Sequence, residues 1–122
     1  MGRRERQRQR QKQADAPPAA PTSEYRDAEG NVLVLRGSLT PASRRQYAET
    51  LHGGSHQEDA WQRAAEFLFE RLAVGWTISG VEMTRQAELL GRLRMASASE
   101  RQFVREALRE HVQEHFPELQ AP

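Results

Sequence analysis

The sequence predicts a mainly α fold: a compact domain of about four helices with a small β-hairpin and a disordered basic N-terminal arm. Three observations predict this class. Apolar residues recur at helical spacing in several segments, glycine and proline interrupt those segments, and residues 3–13 contain no apolar side chain. We expect residues 1–23 to form the arm and its spacer, residues 24–118 to form one domain, and residues 119–122 to form a flexible tail.

The arm differs from the rest of the chain in its charge. Residues 1–23 carry six basic and two acidic side chains, whereas the rest of the chain carries twelve basic and fifteen acidic ones. Residues 14–23 are rich in proline and alanine, which favours an extended, semi-rigid spacer. Because basic side chains release counterions from phosphates, we expect non-specific affinity for nucleic acid or another acidic surface, with a purely solubilising tail as the alternative. The basic side chains of the arm are Arg3, Arg4, Arg6, Arg8, Arg10 and Lys12.

The composition excludes several classes of protein. The absence of cysteine excludes a disulfide framework, cysteine-based zinc sites and thiol catalysis. No apolar run approaches the roughly 18–20 residues that span a bilayer, and polar residues follow the positive N-terminus where a signal peptide would be apolar. We therefore expect a soluble cytoplasmic protein. Arginine outnumbers lysine throughout the chain, which is typical of codon bias in a GC-rich bacterial or phage-like genome.

The domain is expected to open with a β-hairpin. Tyr25 and Arg26 precede a polar connection that contains Gly30, and the apolar run 32–35 follows it. Four consecutive apolar residues indicate that the second strand is buried on both faces. A single hairpin is barely stable in water, so this one is expected to pack against helices.

Two helices are predicted after the hairpin. Thr40 caps a helix over residues 41–51. Ser55 and Glu58 form a capping box for a second helix that runs to about Val74. The apolar faces consist of Tyr47 and Leu51 in the first helix, and of Trp61, Ala64, Ala65, Leu68, Phe69 and Leu72 in the second.

The C-terminal half is predicted to hold a short strand and two more helices. Residues 75–80 alternate apolar and polar side chains, which favours a third strand beside the hairpin, with a plain turn as the alternative. Thr84 is expected to cap the third helix, Ser97 and Glu100 to form a capping box for the fourth, and Pro117 to end it. The apolar faces are Ala87, Leu89, Leu90 and Leu93, and then Phe103, Val104, Ala107, Leu108, Val112 and Phe116.

The four histidines form two pairs with a spacing of four residues, His52/His56 and His111/His115. The second pair lies in His-Val-Gln-Glu-His, which resembles the H-x-x-E-H string of inverted zinc proteases. That resemblance implies zinc held by the two imidazoles with Glu114 as the base, but the family needs a further acidic ligand well downstream. We therefore expect no metal, no cofactor and no catalytic residue, and we expect His111 and His115 to lie on the solvated side of the last helix.

The leading functional hypothesis is a small non-enzymatic interaction or adaptor protein. Neither a nucleophile elbow nor a glycine-rich phosphate loop occurs in the sequence. We expect the partner to be another protein or a second copy of the chain, with nucleic acid contacted through residues 3–12 and no membrane involved.

Three alternatives are retained, and one of them is a metal-binding protein that uses the histidine pairs described above. In the second, residues 84–115 form a helix-turn-helix-like pair of a sequence-specific DNA-binding regulator, and Arg101, Gln102 and Arg105 reach the DNA groove. In the third, a helix, a tryptophan-bearing segment over residues 74–78, a capped helix and a final amphipathic helix follow one another. This order resembles phage tail-assembly chaperones, and the resemblance implies a role in assembling other proteins.

Overall fold

Pairs of strands alternate with pairs of helices along the chain. The computed structural model describes residues 21–52 and 57–122. In chain order the elements are β1 (Thr22–Arg26), β2 (Val32–Arg36), α1 (Pro41–His52), α2 (Gln57–Leu72), β3 (Ala73–Ile78), β4 (Val81–Met83), α3 (Gln86–Arg94) and α4 (Ala98–His115). The described residues thus form four helices and one four-stranded antiparallel sheet with the order β1-β2-β3-β4. The fold is mixed α/β, so the prediction of a mainly α fold with a small hairpin is wrong in its β content.

The predicted first hairpin is confirmed, and Asp27 organises its turn. One carboxylate oxygen of Asp27 accepts hydrogen bonds from the backbone N–H groups of Glu29 and Asn31, each at 2.9 Å. Gly30 has a φ of 84°, a conformation that side chains with a Cβ rarely adopt. These local bonds explain why the polar connection could be recognised from the sequence alone.

Strand β2 is buried on one face rather than on both. Leu33 and Leu35 are fully buried, whereas Val32 and Val34 are half-buried on the opposite face of the sheet. The prediction from the four-residue apolar run is therefore only half correct. The helices pack on the face of the sheet that carries Leu33 and Leu35.

A second hairpin completes the sheet. Strand β3 pairs with β2, which confirms the predicted three-stranded extension. Strand β4 was not predicted, and it pairs with β3 around Ser79 and Gly80, whose φ angles are 51° and 79°. Two consecutive positive φ angles give the mirror-image turn whose twist matches that of antiparallel strands.

The helix starts follow two of the predicted caps. The hydroxyl of Thr40 accepts the backbone N–H of Ser43 at 3.1 Å, and the capping box of Ser97 and Glu100 is formed in both directions. The prediction that Thr84 caps α3 is wrong, because Arg85 occupies the N-cap position and no side chain caps the helix. Ser55, half of the other predicted box, lies outside the described residues.

The buried face of α3 is narrower than the predicted one. Leu89 and Leu93 are buried, whereas Ala87 is exposed and Leu90 is half-buried. A spacing of four residues places the two buried leucines on one face of the helix. That face packs on α2 and β3.

One core lies between the inner face of the sheet and the helices. At its centre the rings of Phe69 and Trp76 meet edge to face, with their centroids 5.7 Å apart. Residues 119–122, predicted as a flexible tail, pack back against this core: the hydroxyl of Tyr47 donates to the carbonyl of Gln120, and Pro122 is buried. None of the helices in the described part of the chain has the length and apolar content needed to cross a bilayer.

Candidate functional site

A groove of about 860 Å³ runs between α2 and α4. Its walls come from α2, from the end of α3 with its connection to α4, and from one face of α4. The lining residues are Trp61, Gln62, Ala65 and Glu66 from α2, Leu93, Arg94 and Ala96 from α3 and the connection, and Ala98, Arg101, Gln102, Val104, Arg105, Glu106 and Arg109 from α4. The groove is thus built from helices, and both apolar and charged side chains line it.

Three arginines of α4 form a row along this groove. Arg101, Arg105 and Arg109 follow one another at intervals of four residues, so they lie on one face of the helix. We call these three residues the arginine row. Leu108 and Val112, which follow Arg105 and Arg109 by three residues each and so lie next to the row on the helix surface, are fully buried and fix the helix against the core. The position of the row therefore follows directly from the packing of α4.

Arg105 and Trp61 form the centre of the groove. The guanidinium carbon of Arg105 lies 5.2 Å from the centroid of the Trp61 ring, within the range of a cation–π interaction. Both side chains are half-buried, and Nε of Arg105 is buried without a hydrogen-bond partner among the described residues. An unpaired buried donor costs about 1–3 kcal/mol, so a turn of the Arg105 side chain that brings this nitrogen to an acceptor in the groove is favoured.

The other charges at the groove are arranged around this centre. Arg94 pairs with Glu66 at 3.1 Å, and a guanidinium nitrogen of Arg101 donates to the backbone carbonyl of Arg94 at 2.7 Å. Arg109 faces the carbonyl of Pro122 at 3.4 Å. Within the described part of the chain, no member of the arginine row forms an ion pair with the side chain of an aspartate or glutamate.

The structure brings together the three residues predicted to read DNA. Arg101 and Gln102 are exposed, Arg105 is half-buried, and all three line the groove. The sequence did not reveal Trp61 and Ala65 as groove residues, because their spacing is that of a core stripe. The signal in the sequence that points to this groove is the repeat of arginines at every fourth residue of α4.

The histidines predicted to be solvated are part of a second, buried cluster. His111 is fully buried, so the prediction for this residue is wrong. Its Nε2 lies 2.7 Å from the carbonyl oxygen of Arg36, and its Nδ1 lies 2.9 Å from the hydroxyl of Tyr25. Because a carbonyl only accepts, Nε2 carries the proton, and Nδ1 accepts the hydrogen bond from Tyr25.

This cluster joins α4 to the first hairpin. Burial lowers the pKa of His111, so the neutral imidazole is favoured. Nε2 of the half-buried His115 lies 3.2 Å from the hydroxyl of Ser23, and the two imidazole rings are 4.4 Å apart. Both nitrogens of His111 are thus occupied by protein groups, which is the arrangement of a structural histidine. Among the described residues, no three metal-ligating side chains form a group that could hold a metal ion.

Of the remaining sequence-predicted histidines and arm residues, only His52 belongs to the part of the chain that the structure describes. His52 is exposed at the end of α1, and His56 lies outside the described residues. The arm residues Arg3, Arg4, Arg6, Arg8, Arg10 and Lys12 also lie outside the described residues.

Comparison with known proteins gives no match to a protein-family model, to a curated protein or to a solved structure. The resemblances to inverted zinc proteases and to phage tail-assembly chaperones therefore stay predictions. The groove between α2 and α4 is the feature of this chain on which a function can be proposed.

Proposed function

We propose that the protein is a small non-enzymatic interaction module that binds a segment of a partner protein in the groove between α2 and α4. The observation that carries this proposal is the Trp61–Arg105 pair, which is half-buried in a concave site with the Arg105 Nε unpaired. Tryptophan and arginine are the side chains most enriched at the energetic centres of protein interfaces. An aromatic ring with an unpaired donor beside it supplies both apolar contact and a directional bond.

The basic arm adds a second, weaker contact in this proposal. Its net positive charge gives salt-sensitive affinity for nucleic acid or another acidic surface without sequence preference. The module and the arm thus act as two separate binding elements of an adaptor.

The DNA-binding alternative makes different demands on α3 and α4. A helix-turn-helix presents the first turn of its second helix on a convex surface that enters the major groove. In this chain the exposed Arg101 bends back to bond the carbonyl of Arg94, and Glu106 stands on the same face as Gln102. These contacts favour a protein partner over DNA at this surface.

Two full-length variants distinguish the adaptor, in which the arm contacts nucleic acid, from the regulator, in which the arginines of α4 bind DNA. In the arm variant, the six basic residues of positions 3–12 are replaced by glutamine, and in the groove variant the arginine row is replaced in the same way. Binding to duplex DNA and to RNA is measured across a salt series. We expect binding to fall steeply with salt, to disappear in the arm variant and to persist in the groove variant. Sequence-selective DNA binding that survives in the arm variant and is lost in the groove variant would replace the adaptor by the regulator.

The protein-binding activity is tested with an unbiased library of displayed peptides selected against the full chain. We expect selected peptides to shift the NMR signals of residues that line the groove, including the indole of Trp61. A substitution of the exposed Arg63, which lies on α2 outside the groove, is expected to leave their affinity unchanged. A library that yields no binder, or binders whose footprint lies elsewhere, would contradict the proposal.

A further inference from the structure

We infer that the segment bound in the groove is an acidic amphipathic helix of a partner protein. This inference rests on the proposed function and names the chemistry of the ligand for the same site. Three properties of the groove lead to it: the sign of its charge, the spacing of its arginines and its construction without any strand.

The charge of the groove is opposite to that of the body around it. Residues 24–122 carry twelve basic and fifteen acidic side chains, yet the groove lining holds four arginines and two glutamates. One of the two lining glutamates, Glu66, is already paired with Arg94. No described aspartate or glutamate pairs with the arginine row, so the positive charges of the row remain available to carboxylates of a ligand.

The spacing of the row matches the repeat of another α-helix. Four residues of α4 rise by about 6 Å, and carboxylates placed every fourth residue on a partner helix have the same separation. The lining residues of α4 extend from Ala98 to Arg109, a length of about 16 Å or three helical turns. Trp61, Ala65 and Val104 lie beside the row and offer apolar contact to a neighbouring stripe of the ligand.

A helix fits this site better than an extended strand does. Backbone N–H and C=O groups that are buried need hydrogen-bond partners, and a helix supplies its own. An extended segment would need the open edge of a sheet, but the lining residues belong to helices and to the connection between α3 and α4. The recognition mode is therefore that of a helix in a groove.

Two other occupants are less well matched. The arm of the same chain is basic, so the arginine row repels it. Single-stranded nucleic acid would need to stack its bases on an aromatic face, but Arg105 lies over the ring of Trp61 and two glutamates line the walls. A partner helix with glutamate or aspartate on one stripe and leucine on the next satisfies both the charge and the apolar contacts.

The inference is tested with designed peptides of about four turns and the full-length protein. The acidic peptide carries glutamate and leucine on adjacent stripes, each repeated every fourth residue. Its controls are a scrambled isomer, a counterpart with lysine in place of glutamate, and an oligothymidine. Binding is measured by fluorescence anisotropy, and far-UV circular dichroism verifies that each protein variant is folded.

We expect the acidic peptide to bind at least about tenfold more tightly than the scrambled and lysine peptides, and to weaken as salt is raised. Arg105→Gln is expected to weaken binding by at least about threefold, Arg105→Lys to weaken it less because the charge is kept, and Arg63→Gln to have no effect. Equal affinity for the acidic and scrambled peptides, or an Arg105→Gln variant with unchanged affinity, would overturn the inference.

The failure of this inference is distinguishable from failure of the proposed function. If selected library peptides occupy the groove but carry no acidic excess, the interaction module stands and the acidic helix is wrong. If only oligothymidine binds there, both are wrong. Dimerisation of the chain in sedimentation experiments that is lost in Arg105→Gln would make a second copy the occupant and would overturn the assignment to a partner protein.

Discussion

Replacement of His111 by leucine is expected to destabilise the protein by about 2 kcal/mol at neutral pH. Leucine has a comparable volume, so no large cavity forms, but the carbonyl of Arg36 loses the donor that lies 2.7 Å away. Because leucine at this fully buried position would also keep water away from that carbonyl, the loss of the bond costs about 1–3 kcal/mol. The hydroxyl of Tyr25 also loses its acceptor, but this residue is only half-buried and water can replace the bond.

The same substitution is expected to remove one component of the pH dependence of stability. Burial lowers the pKa of His111 below its ordinary value of 6.5, so between these two values the unfolded chain binds a proton that the folded chain does not. The free energy of unfolding therefore falls as the pH is lowered from about 6.5, and it stops falling once the folded pKa is passed. For one proton the slope is at most about 1.4 kcal/mol per pH unit.

The assay is urea denaturation followed by far-UV circular dichroism at several pH values between 7.5 and 5. Carboxylates stay largely ionised in this range, which isolates the contribution of histidine. His52→Gln serves as the matched control because His52 is exposed, and it is expected to behave like the natural sequence. A His111→Leu variant with undiminished stability at pH 7.5 and the same pH dependence as the natural sequence would refute the assignment of a buried neutral imidazole.

Three further substitutions probe the packing and the local geometry, each by thermal or urea denaturation. Gly37→Ala is expected to destabilise the protein by about 1–3 kcal/mol because the new Cβ would lie 2.7 Å from the carbonyl oxygen of Pro21. Its control is Gly91→Ala within α3, where the new Cβ meets no atom within 4 Å, and this substitution is expected to stabilise the protein by about 0.5–1 kcal/mol. A loss of stability in both variants would contradict this contrast. Ser97→Ala is expected to cost about 1 kcal/mol through loss of the capping box, and an unchanged midpoint would argue against that cap. Leu108→Ala is expected to cost about 2–5 kcal/mol because Leu108 is fully buried, and a cost below 1 kcal/mol would show that the core collapses around it.

Elements defined by local chemistry were predictable from the sequence. The first hairpin depends on Asp27 and Gly30, which act within five residues of each other. The start of α4 depends on Ser97 and Glu100, which satisfy each other within one helical turn. In both cases the residues that fix the backbone are neighbours in the chain, so their spacing alone reveals them.

Features that depend on distant parts of the chain were not predictable in the same way. Strand β4 has three residues, too few to show an alternation, and only the Ser79–Gly80 turn hinted at it. The burial of His111 depends on Arg36 and Tyr25, which are 75 and 86 positions away in the sequence. A histidine on a helix otherwise rich in glutamate and arginine gives no sign of such partners.

The groove illustrates the same limit for function. Trp61 is on the apolar stripe of α2, so periodicity assigns it to the core, yet it forms a wall of the groove and contacts Arg105. Whether an arginine on a helix faces solvent or a concave site depends on how a second helix is placed. That placement follows from tertiary packing and not from the spacing within either helix.

The two clusters of the molecule are connected through the rotation of α4. His111 attaches one face of this helix to β1 and β2 with two hydrogen bonds, which act together with the apolar packing of Leu108 and Val112 to set the direction of the arginine row. Apolar packing alone tolerates small rotations of a helix, whereas directional hydrogen bonds to a strand carbonyl do not. A buried polar histidine at this position therefore specifies orientation as well as stability, and a binding face built on α4 gains a rigid support. On this argument, His111→Leu should weaken binding of the acidic peptide even where the protein remains folded, although His111 does not line the groove.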